Sequence, residues 1–203
     1  MPDMKALALA AMMMMTGMMA ADLTVQVRDD AGLAKGRLNE ALKEAAWILG
    51  RAGVQVAWVV CGEAVTCVES ADPRLMVLTL MDKDPKNVAG AALGFAMPFT
   101  HRGNHAAAMV PRVARFVAGF PGETNADVLA AVIAHELGHL LFRTNKHGEG
   151  IMQARWDKGG VRAMAQRKMV FSAKQAAELR EGLRLRVAGV LMAPETARQE
   201  ARR

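Results

Sequence analysis

A long apolar stretch at residues 128–142 constrains the fold of this chain more than any other feature, because three ionisable side chains lie in its middle. Just before it, Thr124 and Asp127 have the spacing of a capping box, which predicts that a helix begins here. Such a helix must be buried, and burial of ionisable groups is costly unless a partner such as a metal ion compensates. The three side chains are His135, Glu136 and His139.

The three ionisable residues form the pattern H-E-x-x-H. Residues four apart lie on the same face of a helix, so His135 and His139 can direct two imidazoles at one zinc ion. Glu136 lies about 100° further round the helix, where it can reach a water molecule held by the metal. Zinc lowers the pKa of such a water, and Glu136 can take its proton as the general base.

A catalytic zinc usually has three protein ligands, so a third is expected beyond the helix. His147 is the candidate, since Thr144 and Asn145 favour a turn that would bring the chain back towards the metal. Glu149 and Glu178 are alternative oxygen ligands. It also stays open that His147 is a loop histidine that binds nothing.

The motif His135-Glu136-x-x-His139, followed by His147 and then Gly150-Ile151-Met152, resembles the metzincin zinc peptidases. The resemblance implies a zincin-like α+β fold with a mixed twisted sheet packed on helices. The active-site helix would be followed by a turn containing Met152 and by a C-terminal helix. It also implies a zinc-dependent endopeptidase acting on peptide or protein substrates.

Two features depart from the metzincin pattern. That pattern would place the third histidine at Asn145, whereas here it comes two residues later, at His147. The chain also contains no Tyr, which removes one common side chain for stabilising an oxyanion. His101, His105 or Arg155 could take that role, although each could equally be an ordinary surface residue.

The remaining hydrophobic patterns predict a βαβ unit, then further strands, and a final helix, which together indicate an α+β domain. The segment at residues 75–81 is continuously apolar and is expected at the centre of the sheet. Residues 94–99 are the expected edge, where an extended substrate could add as a strand. Strands are predicted at residues 23–28, 54–60, 75–81, 91–99 and 106–117, and helices at 35–51, 128–142 and 172–186.

The ends of the chain are expected to lie outside the folded domain. Lys5 is followed by an apolar run that is too short for a membrane span, so residues 1–21 read as a signal peptide. This divides the chain into that leader, a metallopeptidase domain at 22–190 and a flexible basic tail at 191–203. The protein is then secreted or periplasmic, without stable membrane insertion after cleavage. The alternative is an uncleaved anchor on a membrane-tethered interaction protein.

Export would also suit Cys61 and Cys67, which are close enough to form a disulfide, although two free thiols are not excluded by sequence. The net charge is +6, and residues 143–174 contain eight Lys or Arg against two acids. This basic segment is either a solvated surface or a zone beside the active site that favours acidic substrates. Nucleic acid is not an expected partner, because stacking aromatics do not accompany the basic residues.

The main alternative function is a non-catalytic zinc-binding or interaction module of the same fold. A purely structural zinc site would need a fourth protein ligand and no base, so an intact Glu136 favours the enzyme. The sequence leaves the cleavage preference and the oligomeric state open.

Overall fold

The computed structural model describes residues 21–86, 88, 90–100, 102–120 and 125–189. Nearly all of the predicted signal peptide and the whole of the predicted tail lie outside these residues, as do Thr124 and His101. The domain boundaries therefore stay predictions. Among the described residues, no helix is long and apolar enough to cross a membrane.

Five strands form one mixed sheet. They are β1 (Leu23–Asp29), β2 (Val56–Val60), β3 (Leu75–Met81), β4 (Gly94–Ala96) and β5 (His105–Met109). Their order is β2-β1-β3-β5-β4, and every neighbouring pair is parallel except β4 with β5. The apolar segment at 75–81 is thus the central strand, and the expected edge near residue 94 is an edge, as predicted.

Helix α1 (Lys35–Arg51) connects β1 to β2 and has the predicted bounds. Its apolar residues recur at intervals of three and four, which places them on one face. The buried members of this face are Leu38, Ala41, Leu42, Ala45, Ile48 and Leu49. This face packs against the helix that contains the H-E-x-x-H motif.

Residues 110–117 correct the prediction of a long strand at 106–117. The strand ends at Met109, and α2 (Val110–Ala118) begins with Pro111 in its first turn. Proline suits that position, because its fixed φ matches a helix and the first amides have no helical partner to lose. Val113 and Val117, four residues apart, then form the buried face of α2.

The motif helix is α3 (Asn125–Phe142), and every residue from Val128 to Leu141 is buried. It contacts the other four α-helices and the strands β4 and β5. An all-apolar surface is expected of a helix that is surrounded on several sides. The predicted buried helix is therefore confirmed at the centre of the domain.

The C-terminal part follows the prediction except for one short helix. A 3-10 turn at Gly150–Met152 precedes α4 (Lys158–Ala165), and α5 (Ala173–Val187) ends the described chain. Ser172 caps α5 in a full capping box with Gln175, as its position suggested. Helix α4 was not predicted, since its first turn contains two glycines, which are poor helix formers.

Cys61 and Cys67 form a disulfide, which confirms the pairing suggested by their spacing. It closes the loop that follows β2, at the edge of the sheet opposite β4. Neither cysteine lines the cavity described below.

Candidate metal centre

Helix α3 brings His135 and His139 onto one face, one turn apart. Their Nε2 atoms are 3.0 Å from each other, and both side chains are buried, with exposed fractions of 6% and 4%. Burial is the main cause that lowers the pKa of each imidazole to about 4. Both rings are therefore neutral at pH 7, which is the form that binds metal ions.

Backbone carbonyls fix which nitrogen of each ring has the proton. The Nδ1 of His135 lies 2.7 Å from the carbonyl oxygen of Ile151, and the Nδ1 of His139 lies 2.8 Å from that of Thr144. A carbonyl only accepts hydrogen bonds, so each Nδ1 must be the N–H donor. Each Nε2 is then a bare lone pair, and the two face each other without a proton to share. A cation between them fits this arrangement.

A tight reversal after α3 brings His147 back to the same place. Arg143 has a positive φ of 49°, the left-handed conformation that commonly ends a helix, and the amide of Thr144 bonds to the carbonyl of His139. The ring centroid of His147 is 5.3 Å from that of His135 and 5.1 Å from that of His139. One ligand atom from each histidine lies within 4.8 Å of the others.

This trio is compatible with zinc. Tetrahedral zinc bound at about 2.0–2.1 Å requires nitrogen atoms roughly 3.3 Å apart, which is close to the 3.0 Å between the Nε2 atoms of His135 and His139. In the described part of the chain, no other group of three metal-ligating residues is close enough together. Of the alternative third ligands, Glu149 and Glu178 are both exposed and neither joins the trio.

Met152 packs against the motif helix at Gly138. It is 2% exposed, and its sulfur would be 3.0 Å from a Cβ atom at Gly138, which lies between the two buried histidines on α3. Phe171 approaches the same point to 3.1 Å. Because Gly138 has no side chain, the Met152 turn packs directly on the helix backbone. The same turn supplies the Ile151 carbonyl that holds His135.

Glu136 lies beside the cluster and lines a cavity that His135 and His147 also line. Burial alone raises the pKa of its carboxyl group to about 8, since no charged or hydrogen-bonding neighbour contributes to the shift. A cation in the histidine cluster would favour the ionised form instead. The carboxyl group is therefore not committed to a structural ion pair.

Edge strand β4 packs closely on this carboxyl group through Gly94. A Cβ atom at Gly94 would lie 2.7 Å from Oε1 of Glu136 and 2.7 Å from the carbonyl oxygen of Ala107. Real Cβ atoms essentially never approach other atoms so closely. Only glycine allows the strand and the carboxylate to lie together at this position.

The cavity has a volume of about 650 Å³ and extends from the histidines towards the segment that leads into β4. Its other walls come from α2 and from residues 153–156, after the Met152 turn. Trp156 stands edge-on to His135, with ring centroids 5.5 Å apart. The site is thus a cleft between the edge strand and the chain that follows the third histidine.

Of the three residues considered for oxyanion stabilisation, one lines the cavity. His101 lies outside the described residues, and His105 lies in β5 and does not line the cavity. Arg155 does line it. Gly94, Arg112 and Trp156 were not anticipated, because their roles come from contacts with distant segments and no local pattern marks them.

The fold resembles that of a solved structure, the archaemetzincin from Methanopyrus kandleri. The TM-score is 0.55 and the sequence identity 14%, over 80% of this chain and 96% of that one. The sequence matches no known protein family, and no curated protein is similar to it. At this identity the likeness establishes the fold alone, and it confirms the predicted zincin-like α+β class.

Proposed function

We propose that this protein is a zinc-dependent endopeptidase in which His135, His139 and His147 hold the ion and Glu136 is the general base. The observation that carries the proposal is the meeting of three imidazoles at one point. Two of them have Nδ1 locked by a backbone carbonyl and Nε2 directed inwards. Hydrogen bonds of this kind, to the outer nitrogen of a histidine ligand, are typical of metal sites.

Three features favour catalysis over a structural role. Only three ligands converge among the described residues, which leaves one position of a tetrahedral ion open. A cavity large enough for a peptide side chain adjoins that position. Glu136 faces the same cavity, whereas a purely structural site has no use for a base. The likeness to an archaemetzincin supports the same class of function.

When bound, zinc would polarise the scissile carbonyl and acidify a water molecule. Glu136 accepts a proton from the attacking water and passes it to the leaving amine. The backbone of β4 beside Glu136 is the edge along which an extended peptide can lie, since its outer side has no neighbouring strand. Gly94 keeps that edge close to the base.

We also propose that the protein acts outside the cytoplasm, after removal of residues 1–21. The leader pattern in the sequence supports this location, and so does the disulfide between Cys61 and Cys67, since such bonds persist in oxidising compartments. A peptide or protein substrate is expected there, with no role for nucleic acid.

The test compares the wild type with Glu136→Ala for two properties, the zinc content per chain and the hydrolysis of casein. We expect the variant to retain zinc, because Glu136 is not a ligand, and to lose casein hydrolysis. Glu149→Gln is a matched control, because this exposed carboxylate stands close to the third histidine in sequence but outside the trio. It should retain both properties.

The alternative of a non-catalytic zinc module predicts a different result. Zinc would be bound by both proteins, and neither would hydrolyse casein above the rate of a sample treated with a chelator. Equal hydrolysis by the wild type and Glu136→Ala would contradict the role assigned to the base. A chain that binds no zinc would contradict the proposal as a whole.

A further inference from the structure

Three arginines line the cavity beside the histidine cluster, and they differ in the hydrogen bonds and ion pairs that their guanidinium groups make within the protein. They are Arg112, Arg115 and Arg155. Among the described residues, Glu136 is the only acidic residue in the lining, and no lysine lies there. Because the surrounding protein has a low dielectric constant, charges in such a cleft act more strongly than on an open surface.

Arg112 makes hydrogen bonds and an ion pair with other residues of the protein. Its side chain is 9% exposed and donates to the carbonyl oxygens of Ala92, at 3.0 Å, and Val88, at 3.4 Å. Its Nε also lies 3.3 Å from Oδ1 of Asp84. Arg112 therefore holds the segment that leads into β4, and this segment forms one wall of the cavity.

Arg115 shares the same carboxylate. Its guanidinium donates to Oδ2 of Asp84 at 2.7 Å, and its side chain is 64% exposed. Desolvation opposes ionisation of Asp84, but hydrogen bonds from Arg115 and Arg112 outweigh it and hold the pKa of the carboxyl group below its usual value. Asp84 thus pairs with both arginines, and the side chain of Arg115 stays largely exposed to solvent at this end of the cavity.

Arg155 is the free cation of the site. Within the part of the chain that the structure describes, it makes no hydrogen bond and no ion pair, and its side chain is exposed. It follows His147 and Met152 in the chain, and both Arg155 and His147 line the cavity. Its five guanidinium donors suit a carboxylate, which can accept two parallel hydrogen bonds.

We propose that the cavity binds a carboxylate of the substrate next to the scissile bond, with Arg155 as the main partner and Arg115 as the second. The inference rests on the proposed peptidase function, and it names the substrate class of that site. The carboxylate can come from a Glu or Asp side chain or from the free C-terminus of the peptide. A neutral or cationic residue at the same position would leave the positive charge unpaired.

The experiment uses the zinc-loaded protein and a peptide whose cleavage position has been found by mass spectrometry. In one set of peptides, Glu, Gln or Lys replaces one of the two residues beside the cleaved bond at a time. All peptides of this set have an amidated C-terminus. A further pair, truncated just beyond the bond, carries a free or an amidated C-terminus. The value of kcat/KM is measured for each peptide.

We expect one of the Glu peptides, or the free-carboxylate peptide, to be cleaved about tenfold faster than its neutral partner, as one charged hydrogen bond would give. The peptide that shows the faster cleavage identifies whether the carboxylate comes from a side chain or from the C-terminus. The advantage should shrink with added salt, since Arg155 is exposed. In Arg155→Gln the ratio of the charged to the neutral peptide should fall to about one.

Lys174→Gln is the matched control. It removes one exposed positive charge from the same basic segment, at a residue that does not line the cavity, and the preference should persist. A second readout avoids turnover, because zinc-loaded Glu136→Ala should bind the preferred labelled peptide about tenfold more tightly than the neutral one. Adding Arg155→Gln to that variant should remove the difference in Kd.

Two results would overturn the inference while leaving the peptidase intact. One is Glu136-dependent cleavage at equal rates for all the peptides. The other is a loss in Arg155→Gln that affects every peptide to the same extent, which would indicate a role at the scissile carbonyl instead. If no peptide is cleaved in a Glu136-dependent manner, the proposed function fails, and the substrate class fails with it.

Discussion

Gly94→Ala tests whether β4 positions the proposed base, and it changes none of the proposed metal ligands. The added methyl group would lie 2.7 Å from Oε1 of Glu136 and 2.8 Å from its Cγ. It would also lie 2.7 Å from the carbonyl oxygen of Ala107, in the strand that pairs with β4. Displacement of the Glu136 side chain relieves its own clash, but the carbonyl of Ala107 is backbone, so β4 must also shift relative to β5.

The size of the effect follows from these distances. Ordinary van der Waals contact begins at about 3.4 Å, so Glu136 must be displaced by several tenths of an ångström. Overpacking of this kind costs about 1–3 kcal/mol of the free energy of unfolding. A catalytic group displaced by about 1 Å can cost on the order of a hundredfold in rate, so we expect kcat/KM to fall by roughly ten- to a hundredfold.

The assay measures peptide hydrolysis, zinc content and thermal unfolding for Gly94→Ala and for Gly90→Ala. Gly90 lines the same cavity, but a Cβ atom there would have nothing within 4 Å. We expect Gly90→Ala to behave as the wild type, and Gly94→Ala to retain zinc and a folded domain with reduced activity. Wild-type activity in Gly94→Ala would refute the view that β4 positions the base.

Other parts of the molecule give three further expectations. Zinc at a hundred times its Kd should stabilise the fold by about 2.7 kcal/mol, and His139→Ala should abolish the shift in thermal melting. Reduction of the disulfide, or Cys61→Ser with Cys67→Ser, should lower the free energy of unfolding by about 2 kcal/mol in a urea titration, with zinc content unchanged. Gly182→Ala should cost about 3 kcal/mol or more by the same measurement, because its Cβ would overlap the carbonyl oxygen of Leu141 where α5 crosses α3.

The parts of the site that sequence could predict are those set by local geometry. A helix with histidines four apart directs both rings to one face whatever surrounds it, so His135, His139 and the neighbouring Glu136 could be assigned early. His147 was less determined, because its position depends on the reversal after α3. That reversal occurs at Arg143 in a left-handed conformation, and the chain then needs four more residues to return to the cluster.

The parts that sequence could not predict depend on contacts between distant segments. The start of α2 looked like a continued strand, since Val110 and Val113 suit either structure, and only the packing decides between them. Gly94 matters because of Glu136, 42 positions later. Arg112 matters because it reaches the carbonyl groups of Ala92 and Val88, which lie 20 and 24 positions earlier in the chain. No periodicity within a short window can indicate such pairs.

Both hydrogen bonds that orient the two buried histidines are accepted by backbone carbonyls, so they do not depend on the side chains of the accepting residues. The groups that fix the tautomers belong to Thr144 and Ile151, but any residue with the same backbone path would serve. The site therefore depends on the route of the chain after α3, through the turn at Arg143 and the turn at Met152, more than on the identity of most side chains there. Within this chain, side-chain identity matters at fewer positions. These are the three imidazoles, Glu136, and glycines such as Gly138, where a Cβ atom would lie 3.0 Å from the sulfur of Met152.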